Sequence, residues 1–414
     1  MKKSGGSKKS TYISVFFILL AAAVLITWQI SYYYLTKTFN EKYTKIFSEI
    51  TTENDISHIV YNTDGIIRSK YIGNIDDNRL LDGTLEGYLD GLGDRYSSYM
   101  NEKEYEEYLL ESSEQARTGI GVSVVYDKKE NGLYVINVNE KGQAYAAGIV
   151  PGDVITEIDG SKVTDLGQHL AENKITGGDI GSEVKLKVEN AYRAAREVNV
   201  IRDELKKEKI TGKMLENLIG LVTLKEFTQD SPDEFKNVIK ELSESGAEKF
   251  IIDIRNNPGG DIDGITQLLD FLLPEGVTVI FSNKNGKQKT FTSDPVFFNA
   301  PMALLVNKNT AGTAELFAAS LKDFGKASVV GSTTYGKGSV QEVIELPEGG
   351  ANISTGIYLP PSEVSFDGTG ITPEYEVELP EMYLRNYFSM TDDKDTQLQK
   401  AVEVLDSIDS DVEY

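Results

Sequence analysis

The sequence predicts an α/β multidomain protein carried on a membrane anchor. Three observations predict it. An uncharged stretch from Thr11 to Thr36 opens the chain, the patterning switches from helical to strand-and-turn near Thr118, and from Glu208 onward apolar strands alternate with helices. At 414 residues the chain has room for two or three domains with full cores. The patterning divides it into a cytoplasmic tail (1–10), a transmembrane helix (11–35) and a helical region (36–116). A strand-rich domain (117–202), an α/β core (203–380) and a C-terminal helical segment (381–414) follow.

Composition excludes several classes of function. Lys+Arg 42 against Asp+Glu 65 gives a net charge of −23, which repels phosphate backbones and argues against a nucleic-acid partner. Cys 0 excludes disulfides, thiolate metal sites and a cysteine nucleophile, and His 2 (His58 and His169) leaves little for zinc or a Ser-His-Asp triad. No metal and no cofactor is expected. Catalysis, if present, runs on Lys, Ser/Thr, carboxylates or backbone dipoles.

The anchor rests on the apolar run Ile13 to Ile30, long enough for a hydrocarbon layer that needs about 20 residues. Lys2, Lys3, Lys8 and Lys9 precede it and place the N-terminus in the cytoplasm, while Trp28 and Tyr32 to Tyr34 form an aromatic belt at the far side. The body of the chain is therefore expected outside a cell membrane crossed once. A cleaved signal peptide is the competing reading, disfavoured because no clean small-x-small site follows the run. Residues 37 to 116 carry apolar positions at helical spacing (Leu80, Leu81, Leu85, Tyr88, Leu89, Leu92), broken at Gly93-Asp94-Arg95-Tyr96-Ser97-Ser98-Tyr99-Met100 before Asn101-Glu102-Lys103-Glu104 starts another helix.

Strands follow. Gly119-Ile120-Gly121-Val122 is a glycine-containing loop feeding a strand, Leu133 to Val138 is a second strand, and Gly142 to Ile149 is a small-residue helix. Val150-Pro151-Gly152-Asp153-Val154-Ile155 leads into a hairpin signal at Asp159-Gly160. These residues resemble a PDZ domain. The resemblance implies a domain that binds a peptide C-terminus by adding it as a strand, with the Gly119, Ile120, Gly121 and Val122 loop taking the carboxylate.

In the α/β region, Ile219 to Leu224 and Lys249 to Ile254 read as strands, with a helix start at Ser231-Pro232-Asp233-Glu234 between them. Arg255-Asn256-Asn257-Pro258-Gly259-Gly260 follows the second strand, and two glycines at a strand-to-helix junction can aim N–H groups at a carbonyl oxygen. Further on, strand Met302 to Val306 runs into Thr310-Ala311-Gly312-Thr313-Ala314-Glu315, where a helix begins. A later strand (Ala327 to Gly331) delivers Tyr335-Gly336-Lys337-Gly338-Ser339-Val340-Gln341. This arrangement brings a lysine back beside a helix N-terminus.

Taken in this order, these segments resemble the carboxy-terminal processing peptidases, also called tail-specific proteases. Leu81-Asp82-Gly83 through Ser97-Ser98-Tyr99-Met100 and Gly370-Ile371-Thr372-Pro373-Glu374 add to the likeness, which covers nearly everything after the anchor. The resemblance implies a crotonase/Clp-protease-like mixed α/β core with an inserted PDZ domain. It also implies a serine endopeptidase that works through a Ser-Lys dyad on protein substrates recognised by apolar C-terminal tails, and, as relatives often form dimers or larger rings, a homodimer as one expected assembly. Lys337 matches the family's lysine and Gln341 its orienting glutamine. A spacing of four on a strand would put both on one face. The oxyanion donors implied are the N–H groups at position 312 or Thr313, with Gly259 or Gly260.

The nucleophile position departs from the family. The residue matching the serine is Gly312, which has no side chain with which to attack a carbonyl. Three explanations stand open: an inactive or inactivated member, attack by Thr313 or Thr310 (the latter expected to cap the helix), or water activated by Lys337 in the space left at Gly312. The first leads to a chain expected to be inactive as it stands. From a different class, the alternative is a non-catalytic, membrane-anchored PDZ peptide-binding or scaffold protein.

Overall fold

Period-two alternation along consecutive apolar strands builds the sheet that positions the site. The computed structural model describes residues 25–29, 31–34, 37, 56–113, 118–190, 192, 194–204, 210–286, 288–380, 383 and 390–408. Two compact units divide the chain, Met1–Leu80 and Leu81–Tyr414.

In the first unit, helix α1 (Ile56–Lys70) buries no residue, and Ile56, Ile59 and Ile66 stand exposed along it. The anchor expected at 11–35 lies for the most part outside the described residues. Of it, residues 25–29 and 31–34 are helical, with Trp28 stacked on Tyr32 at 5.6 Å between ring centres. No helix among the described residues is long and apolar enough to cross a membrane.

Helix α2 (Asp77–Asp90) is followed by strand β1 (Ser98–Met100) and helix α3 (Glu102–Ser113). The break expected between the helices at Gly93 to Met100 thus contains a strand, and that strand belongs to a sheet of the α/β core.

The strand-rich domain runs from β2 (Thr118–Gly119) through β3 (Val122–Asp127), β4 (Gly132–Val138), helix α4 (Gln143–Ala146), β5 (Val154–Ile158) and β6 (Ser161–Lys162). Helix α5 (Val163–Thr176), β7 (Glu183–Glu189), β8 (Ala195–Ile201) and β9 (Asp203–Glu204) complete it. Five strands pair in the order β3-β4-β5-β7-β8, so β3 is an edge strand, and β2 pairs β9. The β2–β9 pairing carries the domain to Glu204, past the expected limit of 202. Asp159 (φ 50°) and Gly160 (φ 81°) take the paired left-handed conformations of the hairpin turn the sequence announced. Leu133, Val135, Ile155, Ile158, Val184 and Leu186 fill the interior.

The core sheet has six strands in the order β10-β11-β12-β15-β16-β19. These are β10 (Thr211–Met214), β11 (Ile219–Thr223), β12 (Lys249–Asp253), β15 (Met302–Val306), β16 (Ala327–Gly331) and β19 (Tyr375–Glu376). Only the β10–β11 pair is antiparallel. Phe250 and Ile252 on β12, with Met302, Leu304 and Val306 on β15, face one layer of helices. That layer is α6 (Ser231–Glu244), α7 (Ile262–Leu272) and α8 (Thr313–Asp323). Ile251, Ala303 and Leu305 face the other way, onto Leu398, Ala401 and Leu405 of α9 (Thr396–Ile408). Burying both faces explains why these strands read as continuous apolar runs. Buried Arg255 ties α9 down: it binds Asp253 (Nε to Oδ1, 2.9 Å) and Asp395 (3.0 Å).

A second, antiparallel sheet joins β1, β18 (Gly349–Leu359), β13 (Gly276–Asn283) and β14 (Gln288–Ser293), with β17 (Ser339–Leu346) on β18. Ser98 pairs Asn352 and Met100 pairs Gly350.

Candidate active site

Because β12, β15 and β16 are parallel neighbours, their C-terminal ends emerge together, and the loops that follow them build the site. The loop after β12 carries Pro258 to Asp261, the loop after β15 runs into α8 at Gly312, and the loop after β16 carries Lys337. Asparagines lock the first two loops. Asn256 Oδ1 accepts from Asn307 Nδ2 and Asn309 Nδ2 at 2.9 Å each, and Ala311 N–H donates to Asn257 O at 2.9 Å.

Glu315 welds the second loop to the third. Its carboxylate is fully buried and accepts the N–H groups of Gly312 (3.0 Å), Gly336 (2.7 Å) and Lys337 (2.8 Å), together with the Thr334 hydroxyl. Burial pushes this carboxyl up to about 7, and those donors restrain it from rising further. A glutamate at the third helical position can take the N-cap N–H, as Glu315 does from Gly312, and that placement is the signal that would have pointed to it. Gly312 is the helix N-cap, at φ 62° and ψ −129°. Thr310, expected as the cap, instead donates its fully buried hydroxyl to Ile254 O at 3.0 Å and ties two loops together.

An open cleft of about 420 Å³ is lined by Gly260, Gly312, Thr313, Lys337 and Gln341 together with Pro258, Tyr358 and Phe366. Gly260 sits there at φ 137°, where a β-carbon would lie 1.9 Å from Phe227 O, so the position admits only glycine. Among the described residues the N–H groups of Gly260 and Thr313 make no hydrogen bond, whereas Gly259 N–H is committed to Asn257 Oδ1 at 2.8 Å. That commitment narrows the candidate oxyanion donors. Thr313 Oγ1 donates to Gly260 O at 3.1 Å and is turned toward the glycine loop.

Lys337 precedes β17, which starts at Ser339, and the register shifts between Val340 and Gln341. Strand parity therefore does not bring Lys337 and Gln341 together; the loop and the bulge do. Gln341 Nε2 donates to Ser339 Oγ (2.9 Å) and Ser354 Oγ (3.1 Å). Among the described residues, Lys337 Nζ makes no hydrogen bond and lies 5.0 Å from the centre of the Tyr96 ring. Burial lowers the lysine below its ordinary value, opposed by the carboxylates of Glu172, Asp367, Asp94 and Glu315. Glu172 stands on α5 of the strand-rich domain, and burial pushes its carboxyl up to about 7 against Gln168 and Lys337.

That domain also reaches the lysine loop by another contact. Tyr335 Oη donates to Asp127 Oδ2 at 2.8 Å, and Arg95 Nε donates to Asp127 Oδ1 at 3.0 Å. Sequence reading passed over Tyr96, Arg95, Asp127 and Glu172 because each sits far along the chain from residues 312–341.

In the expected carboxylate loop, Gly119 pairs Asp203 and Ile120 N–H is donated to Ile175 O at 3.2 Å. Gly121 and Val122 remain at the mouth of edge strand β3.

A buried lysine opposite unpaired backbone donors, on a chain whose strand-rich domain leaves the β3 edge open, is the layout of a PDZ-bearing peptidase. The profile of peptidase family S41 matches residues 218–377, that of a PDZ domain residues 118–201, and that of the activating protease CtpB N-terminal domain residues 24–104. The carboxy-terminal-processing protease of Bartonella bacilliformis is 30% identical over 335 residues, covering 77% of this chain and 74% of its own. The carboxy-terminal processing protease CtpA of Bacillus subtilis is 29% identical over 321 residues, covering 76% of this chain and 67% of its own. The photosystem II D1 C-terminal processing protease shares the fold with a TM-score of 0.64 at 23% identity, over 77% of this chain and 88% of that one. The chain belongs to the carboxy-terminal processing peptidases.

Proposed function

We propose that this chain is built to hydrolyse peptide bonds in proteins recognised by apolar C-terminal tails, with Lys337 as general base, and that Gly312 leaves it inactive as it stands. The observation that carries the reading is the cavity shared by Gly312, Lys337, Gln341 and the Gly260 and Thr313 amides. In that reading a hydroxyl at position 312 gives its proton to Lys337 and attacks the scissile carbonyl. The oxyanion is received by the N–H groups of Gly260 and Thr313, where the N-terminus of α8 favours negative charge. The substrate tail adds to β3, with Gly121 and Val122 N–H groups at its carboxylate. Thr313 is an unsuitable substitute nucleophile, since its hydroxyl donates to Gly260 O.

The body of the chain works on the outer side of a cell membrane, held by the uncharged N-terminal stretch; the lysines before it support that orientation. Gly312 also favours one second reading, a non-catalytic scaffold that holds tails without cutting them.

The two readings separate in one assay with an unfolded protein bearing an apolar tail. The chain as it stands is expected to bind without cutting, and Gly312→Ser to cut. Adding Lys337→Ala to that variant abolishes cutting. Cleavage by the unaltered chain that disappears in Lys337→Ala overturns inactivity, and an inert but folded Gly312→Ser overturns the dyad.

A further inference from the structure

We propose that Tyr96 is a positioning residue for Lys337: its ring face holds the Nζ and stabilises the ammonium formed when the lysine takes the proton of the attacking hydroxyl. This inference rests on the function proposed above and adds a residue outside the segments that carry it.

The geometry starts with distance. Lys337 Nζ lies 5.0 Å from the Tyr96 ring centre, inside the range of about 6 Å over which a ring face attracts a cation. The ring is fixed in place, being only 5% exposed and packed in one cluster with Val125, Ile136 and Ala311, the residue before the nucleophile position. Its backbone carbonyl accepts Asn352 Nδ2 at 3.1 Å, and the next residue's hydroxyl, Ser97 Oγ, accepts Ser354 N–H at 3.1 Å. Tyr96 therefore belongs to the apolar cluster that holds Ala311 of the nucleophile turn and has the lysine amine over its ring.

Other charged groups do not do this work. The carboxylates that face Lys337 are Glu172 on α5, Asp367, Asp94 and Glu315, and none forms an ion pair with its Nζ among the described residues. Arg95, 5.6 Å from the same ring, is a second cation there and is occupied by Asp127. The Tyr96 hydroxyl has no hydrogen-bond partner among the described residues, so its contribution to the lysine is the ring and not the O–H.

In the step itself, with a serine at position 312, the O–H bond of its hydroxyl breaks and the proton goes to the Nζ lone pair. The oxygen's electron pair forms the bond to the carbonyl carbon, and the carbonyl π pair moves onto its oxygen. Positive charge appears on Nζ where water is scarce, and the ring face is the group placed against it.

The test begins without chemistry, on the full chain as it stands, by titrating Lys337 in a sample with ¹³C- and ¹⁵N-labelled lysine. Its resonance is assigned by loss in Lys337→Met. Tyr96→Phe should keep the midpoint, whereas Tyr96→Leu should lower it by about 0.4 to 1.5 units. Should Tyr96→Leu fail to fold, near-isosteric fluorinated phenylalanines at 96 should lower the midpoint stepwise as the ring face loses charge. A midpoint unmoved by fluorination or by Leu overturns the proposal, as does a Phe variant that shifts as far as Leu. In the Gly312→Ser background, on the plateau above the lysine's midpoint where the base starts neutral, Tyr96→Leu should cut kcat about 2- to 30-fold with KM unchanged, and a change in KM alone overturns the role. If the titration shifts while Gly312→Ser is inert, the proposed function fails and the hold of the ring on the lysine stands.

Discussion

Placing a side chain at position 312 tests the site by its energetics as well as by its chemistry. Gly312 sits at φ 62° and ψ −129°, which L residues adopt only under strain, and a β-carbon there would meet Pro258 O at 3.1 Å. A non-glycine residue held in such a region costs about 1–3 kcal/mol. Against a net stability of about 5–15 kcal/mol that is a large share. At about 1.4 °C per kcal/mol for a unit the size of Leu81–Tyr414, both Gly312→Ser and Gly312→Ala should lower the Tm by roughly 1–4 °C. The pair separates strain from function, because alanine bears the same backbone cost without a hydroxyl. Calorimetry on both variants, alongside cleavage of an unfolded protein with an apolar tail, reads the two effects together. Serine should raise turnover by several orders of magnitude over alanine, up to about a million-fold. A serine variant as stable as the parent would refute the constrained turn. Equal turnover in the two variants would refute the position as the seat of the nucleophile.

Further outcomes follow from the same geometry. Because burial lowers Lys337 and its neutral form is the base, cleavage by Gly312→Ser should rise with pH through a midpoint below the lysine's ordinary value, and a profile flat in that range contradicts the assignment. Glu315→Gln turns one oxygen into a donor facing two N–H groups, which should cost about 2 kcal/mol or more in urea unfolding; a loss under 0.5 kcal/mol counts against the weld between the loops. Arg255→Ala strands Asp253 and Asp395 in the interior and should cost about 3–5 kcal/mol by the same measurement, or else the clamp on α9 is not as described. Val122→Pro removes an N–H from the open edge of β3. Fluorescence anisotropy should show at least about a tenfold weaker apolar tail peptide, and unchanged affinity would move the tail elsewhere.

The core strands were legible because both faces are buried: Lys249 to Ile254 and Met302 to Val306 read as apolar runs and form β12 and β15. Their loop residues, Gly260, Gly312 and Lys337, were legible as motifs. What local pattern could not carry was long-range pairing. Ser98 to Met100 has no period of its own, and it becomes a strand only because β18 offers a partner edge. The same applies to Tyr96 and Glu172, whose relation to Lys337 exists only in the folded chain. Strand parity failed for two reasons: Lys337 lies in the loop before β17, and a bulge at Val340/Gln341 shifts the register.

The pairing of β1 with β18 also orders events as the chain is made. Ser98 lies opposite Asn352, so the edge that receives Ser98 is not synthesised until most of the chain has left the ribosome. The strand-rich domain between them closes largely on its own contacts and can form early, whereas β1 must wait for its partner. Tyr96 travels with β1, and Lys337 comes just before β17. The ring and the amine meet only in this closure, so a chain interrupted before residue 349 has the Gly260, Gly312 and Lys337 loops but neither β18 nor the Tyr358 and Phe366 lining of the site.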